Sequence, residues 1–250
     1  WDCPTVVNNV ETLAAVVPIL NEGGEEYAKI GVGKSTGTKL ISACGNINKP
    51  GIFEIDMTIS VEEFIFSDEY CGGIPNGKRL KAGIPGGSSV PILPANLLLT
   101  TAKGEKRLMN YESLSDGGFA TGSMMGSGGF IVLDEDQCVV RNTMTLARFY
   151  HHESCGQCSP CREGTGWMER ILKKIENGKG EMKDIDLLWD IQRKIEGNTI
   201  CPLGDAAAWP VAAAIRHFRD EFEWHVLNPE KCLTENFGLR HYADPIHVPA

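Results

Sequence analysis

The chain has 250 residues, of which 42% are hydrophobic and 23% are charged, as is typical of one or two globular domains. Its formal net charge of −9 gives little electrostatic support for nucleic-acid binding. The purest apolar run, residues 206–215, is too short to cross a bilayer and contains Pro210.

The first 25 residues predict the end of a larger structural unit. The chain begins at Trp1 without the regions of a signal peptide, so we expect it to be a piece of a longer protein. Residues 4–20 are mainly apolar and helix-like, and the polar pair Asn8 and Asn9 stands where this helix would start. The helix is expected to end before the sequence NEGGEE at 21–26.

A β-rich region follows, from about residue 36 to residue 137. Residues 38–45 and 51–59 alternate as two strands around the turn NINKPG, and residues 128–136 form a last strand. Ser60 and Glu63 form a capping box, which predicts a short helix over 60–70. Residues 80–94 predict a Gly/Pro/Ser loop between two short extended runs. This order is a small α+β pattern rather than a βαβ repeat.

Two features of this region have simple interpretations. Residues 51–70 carry six acids and no Lys or Arg, which fits a solvated face or a docking patch for a basic partner. The stretch AKIGVGKS at 28–35 resembles a phosphate-binding loop, but Ala28 stands in place of the first Gly and a strand follows. The glycines at 85–89 and 122–130 are expected to form turns, with an anion cradle at 85–89 as the alternative.

From about residue 141 the apolar period becomes helical, and four helices with short connections predict a bundle. Asn142 is expected to cap the first helix and Asp184 the third. The fourth covers 205–227, with Pro210 near its start or at a kink. The second and third helices are expected to bury two apolar stripes, formed by Trp167, Ile171, Leu172, Ile175 and by Leu187, Leu188, Ile191, Ile195.

The sequence HHESCGQCSPCREG at 151–164 places three cysteines, Cys155, Cys158 and Cys161, at every third residue. A fourth, Cys201, is followed by Pro202 and lies 40 positions beyond the last of them. Three thiolates from one loop and a remote cysteine before proline are the general layout of ferredoxin-type ligation of a [4Fe–4S] cluster. The two intervening helices form a hairpin that can return Cys201 to the loop.

Other interpretations of these thiols stay open. A structural zinc site normally uses two separated Cys pairs, which fits a triplet plus a singlet less well. A coincidental set of buried thiols is the simplest alternative. The other cysteines are isolated in sequence and are expected to be packed or inert thiols; they are Cys3, Cys44, Cys71, Cys138 and Cys232.

Charged and titratable residues flank the cysteine loop. Arg162 either raises the reduction potential of a cluster, as a nearby cation, or forms a surface ion pair with Glu163. His151 and His152 are expected to pack or to face solvent, because four cysteines already supply the four ligands of a [4Fe–4S] cluster.

These motifs resemble one family, the flavin-carrying NADH-dehydrogenase component of respiratory complex I (its F subunit, of the 51-kDa type). ESCGQCSPCREGTGWM and KIEGNTICPLGDAAAWPV look like its C-terminal cluster region, and CPTVVNNVETLA and GIPGGSSVPILP look like its middle segments. Together these stretches cover nearly the whole chain. The resemblance implies an α+β fold in parts: 1–25 ends an FMN/NADH-binding α/β domain, 26–138 is a β-grasp-like (SLBB) domain, 139–230 is a four-helix bundle with the cluster, and 231–250 is an extended tail.

The resemblance also implies an activity, in which FMN takes hydride from NADH and passes single electrons to the cluster and onward to quinone. In the family, the VNNVET motif contacts FMN, which here falls on Asn8, Asn9 and Thr12; a simple polar helix start is the alternative. The family's Gly-rich loop for FMN and NADH does not occur in these 250 residues, so they are expected to hold the cluster but to bind flavin and nicotinamide poorly.

Implied partners are a thioredoxin-like [2Fe–2S] subunit and a large multi-cluster subunit, at the cytoplasmic side of the inner membrane, without direct insertion into it. Two rivals remain. A diaphorase subunit of an NAD-linked hydrogenase or formate dehydrogenase shares the same modules. A non-enzymatic, zinc-stabilised interaction module belongs to another class, and metal analysis separates it from the first two.

Overall fold

The computed structural model describes residues 2–229, which combine short N-terminal helices, a mixed sheet and four long helices. The tail predicted at 231–250 and Cys232 lie outside the described residues. Helix and sheet are thus mixed, as the sequence predicts.

The N-terminal part consists of two helices, α1 (Val10–Glu22) and α2 (Gly24–Tyr27). The side chain of Asn9 caps α1 by accepting a hydrogen bond from the backbone N–H of Glu11 at 2.9 Å, which confirms the predicted polar start. None of the α1 residues is buried. The helix is held to the sheet by the Glu11 carboxylate, which accepts from Lys39 Nζ at 2.5 Å and from the Leu40 N–H at 2.7 Å.

The described residues contain a small hairpin and a five-stranded sheet. The hairpin joins β1 (Gly31–Val32) to β2 (Ser35–Thr36) and overlaps the stretch that resembles a phosphate-binding loop; the strand predicted after that stretch is present at 38–45. The sheet has the order β4-β3-β7-β5-β6, in which only the β3–β7 pair is parallel. Its strands are β3 (Thr38–Gly45), β4 (Gly51–Asp56), β5 (Leu80–Ile84), β6 (Leu93–Pro94) and β7 (Gly129–Asp134).

Short helices connect these strands. Ser60 caps α3 by accepting from the backbone N–H of Glu63 at 3.0 Å, as the capping box predicts. The helices are α3 (Val61–Phe66), a 3₁₀ turn (Pro75–Gly77), α4 (Ala95–Leu99), α5 (Tyr111–Ser115) and α6 (Gly118–Thr121).

The C-terminal part contains α7 (Val139–Glu153), α8 (Ser159–Glu176), α9 (Met182–Ile195) and α10 (Leu203–Leu227). Two predicted caps were wrong. Helix α7 begins at Val139, because the Cys138 sulfur caps it by accepting from the Arg141 N–H at 3.3 Å; Asn142 lies inside the helix. In α9, Glu181 is the N-cap and Asp184 is its reciprocal partner three residues later.

Two residues of the predicted apolar stripes face outward. Trp167 is 47% exposed and Leu187 is 46% exposed, and both line a groove of about 590 Å³ between α8 and α9. The buried face of α8 instead runs through Met168, Leu172 and Ile175, at the spacing of helical turns.

In α10 the backbone departs from helical geometry at Phe218, whereas Pro210 lies within the first turns.

The sheet separates two hydrophobic cores. On β7, Phe130 and Val132 face the core on the α3 side, and the alternate residues Ile131 and Leu133 face the core that contains the four long helices. Because one strand serves both cores, the helical part packs directly on the sheet.

Among residues 2–229, no helix combines the length and the apolar character needed to cross a bilayer.

Arg107 offers a test of how the sheet side is held together. Its side chain is fully buried and, within residues 2–229, donates hydrogen bonds to backbone carbonyls alone, those of Leu97, Ser113, Leu114 and Thr121. We expect Arg107→Met to lower the free energy of unfolding by about 3 kcal/mol, because these buried acceptors lose a charged donor. Urea unfolding measures the change. Arg148→Met is the matched control on the exposed face of α7, and an equal loss in both variants would contradict the role of the Arg107 bonds.

Candidate metal centre

The three loop cysteines lie at the connection between α7 and α8. Cys155 follows the end of α7, Cys158 is the N-cap residue of α8, and Cys161 lies in the first turn of that helix. Gly156 allows the turn between the first two, because its φ of 75° favours glycine. Pro160 stands in the first turn of α8, where its missing N–H costs no helical hydrogen bond.

Cys201 lies on the loop between α9 and α10. Thr199 Oγ1 donates to the Cys201 carbonyl at 2.9 Å, and the Asp205 carboxylate accepts from the Gly197 N–H at 2.7 Å. A Cβ on Gly204 would stand 2.4 Å from the Thr199 side chain, so glycine is needed for this close approach. These contacts fix the backbone on both sides of Cys201.

The packing of α8 on α9 brings the Cys201 loop toward the other three cysteines. A Cβ on Gly164 would stand 2.6 Å from Ile195 Cδ1, so the first turns of α8 approach the last turn of α9 closely. Cys161 lies one turn before Gly164, and the Cys201 loop begins just after Ile195. The hairpin predicted from the sequence therefore has a specific contact at its open end.

The electrostatic surroundings of Cys161 include the other three sulfurs. Burial is the main cause that raises the pKa of the Cys161 thiol; the hydrogen bond with Ser154 opposes it, and the negative charges of Cys158, Cys201 and Cys155 add to it. Such charge interactions require proximity, so Cys201 lies near the loop although it is distant in sequence. Cys161 is buried, Cys158 is half-buried, and Cys155 and Cys201 are exposed.

Ser154 is a neighbour of the site that the sequence interpretation missed. Its Oγ lies 3.2 Å from Cys161 Sγ and accepts from the Gly156 N–H at 3.3 Å. With Cys161 as a thiolate, the hydroxyl must be the donor of the first bond, since a thiolate has no hydrogen. The only sequence signal is the position of this serine directly before the cysteine triplet.

Arg162 forms an ion pair with Glu163 and also hydrogen-bonds to the backbone of the cysteine loop. Its Nε donates to Glu163 at 3.0 Å, which confirms the predicted ion pair, and Nη1 donates to the Gly156 carbonyl at 3.0 Å. Its influence on a reduction potential stays a prediction. His151 Nδ1 lies 2.6 Å from the Glu169 carboxylate, and His152 is exposed, as the sequence interpretation expects.

The donor set suits a cluster better than a single zinc ion. All four cysteines are free thiols, and soft thiolates are the ligands of iron–sulfur cubes. A tetrahedral zinc ion with Zn–S bonds of about 2.3 Å holds its sulfurs about 3.8 Å apart. Among residues 2–229, the group of ligand atoms that all lie within 4.8 Å of one another is Cys138, Glu221 and His225, not these cysteines.

The expected FMN contacts do not form a site by themselves. Asn8, Asn9 and Thr12 are all exposed, and the Asn9 side chain is occupied as the cap of α1. These three residues alone therefore do not enclose an FMN site, whereas the four free thiols are the donor type that a cluster needs.

Comparison with known proteins agrees with the resemblance that the sequence motifs show. Residues 141–225 match the family described as the NADH-ubiquinone oxidoreductase-F iron-sulfur binding region. The chain is 45% identical over 229 residues to the NADH-quinone oxidoreductase F subunit of Rickettsia typhi, covering 91% of this chain and 51% of that protein. It is 43% identical over 224 residues to the F subunit of Rhodobacter capsulatus, covering 89% and 49%. The chain thus spans about half the length of these relatives.

A solved structure is also similar. The NAD⁺-reducing [NiFe]-hydrogenase in its H₂-reduced state aligns with a TM-score of 0.75 at 29% identity, over 89% of this chain and 35% of the hydrogenase chain. The similarity extends over both the sheet and the long helices, since it covers most of the chain.

The burial of the four thiols predicts their order of reactivity in the metal-free chain. We expect a maleimide to label Cys155 and Cys201 first and Cys161 last, because burial both shields the Cys161 thiol and raises its pKa. Quenched time points analysed by peptide mass spectrometry give the rates. The exposed Cys44 serves as an internal reference, and labelling of Cys161 as fast as Cys44 would contradict the described burial.

Proposed function

Because this chain belongs to the family of the NADH-quinone oxidoreductase F subunit, we propose that its three loop cysteines and Cys201 hold a [4Fe–4S] cluster for electron transfer. The observation that carries the assignment is the close contact of α8 with α9 at Gly164 and Ile195, because it places the loop of Cys201, a free thiol, beside the free thiols at the start of α8. When bound, such a cluster accepts and releases one electron at a time.

The residues of the chain have separate tasks in this proposal. Cys155, Cys158, Cys161 and Cys201 supply four thiolates. The Ser154 hydroxyl donates to the Cys161 sulfur, which stabilises negative charge there. The N–H groups at the start of α8 point toward the loop and favour negative charge in the same place.

The position of the site suits transfer to another protein. Cys161 faces the interior of the bundle, while Cys155 and Cys201 are exposed. A cluster held by all four is thus close to the surface, and a partner can approach from the side of the two exposed cysteines. Its buried side excludes water, which is one means by which proteins tune reduction potentials.

For the whole protein we propose NADH oxidation through FMN, with electrons passing to the cluster and toward quinone. The names of the relatives support this activity. Asn8, Asn9 and Thr12 would contribute to the flavin site only together with further protein. We assign residues 1–25 to the flavin domain, 26–138 to an SLBB-type β-grasp domain and 139–230 to the cluster domain.

We also propose the assembly in which this activity takes place. A thioredoxin-like [2Fe–2S] subunit and a large multi-cluster subunit would accept the electrons, on the cytoplasmic side of the inner membrane and without insertion into it. Membership of the complex I family supports partner subunits in general.

A second assembly is favoured by the similarity to the NAD⁺-reducing [NiFe]-hydrogenase. In that case the chain would belong to a diaphorase subunit, which uses the same cofactors but a different redox partner. Purification of the native complex with identification of its subunits by mass spectrometry separates the two. Copurified hydrogenase or formate dehydrogenase subunits indicate the diaphorase, whereas the other subunits of complex I indicate the quinone reductase.

Replacement of the remote cysteine tests the ligand set. After anaerobic reconstitution, we expect the chain to contain about four iron atoms and to show the EPR spectrum of a reduced [4Fe–4S] cluster at low temperature. Cys201→Ser should remove or strongly alter this spectrum, because one soft thiolate is lost. Cys44→Ser, at an exposed cysteine outside the site, is the matched control. A Cys201→Ser spectrum identical to that of the control would refute the assignment of Cys201.

Replacement of Ser154 tests its hydrogen bond to Cys161. Ser154→Ala should shift the midpoint potential of the cluster to a more negative value, because a donor to a ligand sulfur stabilises the more negatively charged reduced state. Ser154→Thr keeps the hydroxyl and should keep the potential. EPR-monitored redox titration measures both, and equal potentials for the alanine and threonine variants would exclude this role.

A further inference from the structure

A second group of metal-ligand residues lies away from the cysteine loop. Cys138 caps the start of α7, and Glu221 and His225 lie one turn apart on α10. One ligand atom from each lies within 4.8 Å of the other two, and Cys138 Sγ is 3.3 Å from His225 Nε2. Tetrahedral zinc with its usual bond lengths holds a sulfur and an imidazole nitrogen about 3.6 Å apart.

All three side chains are removed from solvent. Glu221 and His225 are 0% exposed, and Cys138 is 9% exposed. A thiol, an imidazole and a carboxylate together are the donor types that zinc uses in proteins. Glu221 and His225 present their groups to one place because residues four apart share a helix face.

A second carboxylate stands behind the histidine. Glu176 Oε2 is 3.7 Å from His225 Nδ1, the ring nitrogen opposite the one that faces Cys138. Metal-binding histidines commonly direct their other ring nitrogen at a carboxylate, which fixes the tautomer and the ring orientation. Glu176 is itself held by Arg141 Nε at 2.6 Å.

Glu221 is held in a similar way. Its Oε1 accepts from the Val139 N–H at 2.7 Å, and its Oε2 is 3.0 Å from Lys81 Nζ on β5. The carboxylates of Glu176 and Glu221 are thus paired with Arg141 and Lys81. Without a metal, the charges would balance as a buried ion-pair network in which Cys138 is a neutral thiol. The two alternatives differ in whether a metal is bound, which can be measured.

We propose that Cys138, Glu221 and His225 bind one zinc ion, with Glu176 orienting His225. The ion would connect the start of α7 to the end of α10, next to the strand that carries Lys81. It would stabilise the junction between the sheet and the long helices. The site shares no residue with the cysteine loop and is independent of the proposed electron transfer.

Metal analysis and zinc K-edge X-ray absorption of the purified 250-residue chain test the proposal. We expect about one zinc per chain, coordinated by one sulfur and otherwise by nitrogen and oxygen. Cys138→Ser and His225→Gln should each lower the zinc content about ten-fold or more, while the iron content and the cluster EPR spectrum are retained. Cys71→Ser is the matched control, a buried cysteine outside both groups.

Two results would overturn the proposal. The first is a wild-type chain that contains no zinc when purified without chelators and binds none when titrated with Zn²⁺, which would leave the ion-pair network. The second is zinc bound by sulfur ligands alone, which would place it at the cysteine loop. Both measurements use the unaltered chain, so they decide the question even if a variant fails to fold.

Discussion

The close contact between α8 and α9 at Gly164 and Ile195 is the constraint on which the cysteine site depends. The triplet can turn its sulfurs toward one centre by loop geometry alone, but Cys201 is separated from it by two helices. A side chain at Gly164 would meet the Ile195 side chain, so the glycine favours the close approach of these helices where the loops meet. In the proposed site, helix packing would therefore supply the fourth ligand, whereas the first three would come from local structure.

The same packing links the site to the rest of the molecule. The inner face of α8 passes from Cys161 through Met168 to Ile175, deep in the core that the helices share with the sheet. The start of α7 and the end of α10 close this core at its far end, around Cys138 and His225. A chain with a redox centre at one end and a proposed zinc ion at the other would have both ends of its bundle fixed.

Local patterns predicted the elements and the cysteine loop well, because their causes are short-range. The capping box at Ser60, the polar start at Asn9 and the strand at 38–45 depend on neighbours in sequence, and each is present. The predictions were wrong where tertiary packing determines which side chains are buried and which residue caps a helix. Trp167 is apolar but faces a surface groove, and a sulfur atom rather than Asn142 caps α7.

The group around Cys138 could not be predicted for the same reason. Cys138 and His225 are 87 residues apart, and no motif connects them. The spacing of Glu221 and His225 is a signal in hindsight, but many helices carry such pairs without a metal. The signal for Cys201 was stronger, because a cysteine before proline complements a triplet that lacks a fourth ligand.

The central claim, that four thiolates from two loops hold one cluster, is tested most directly by mapping which cysteines iron protects. The chain is alkylated before and after anaerobic loading with iron and sulfide, and each cysteine is quantified by mass spectrometry. The account predicts that Cys155, Cys158, Cys161 and Cys201 become protected together, in proportion to the bound iron, while Cys44 stays reactive. If Cys201 reacts as fast in the loaded chain as in the empty one, the account is wrong.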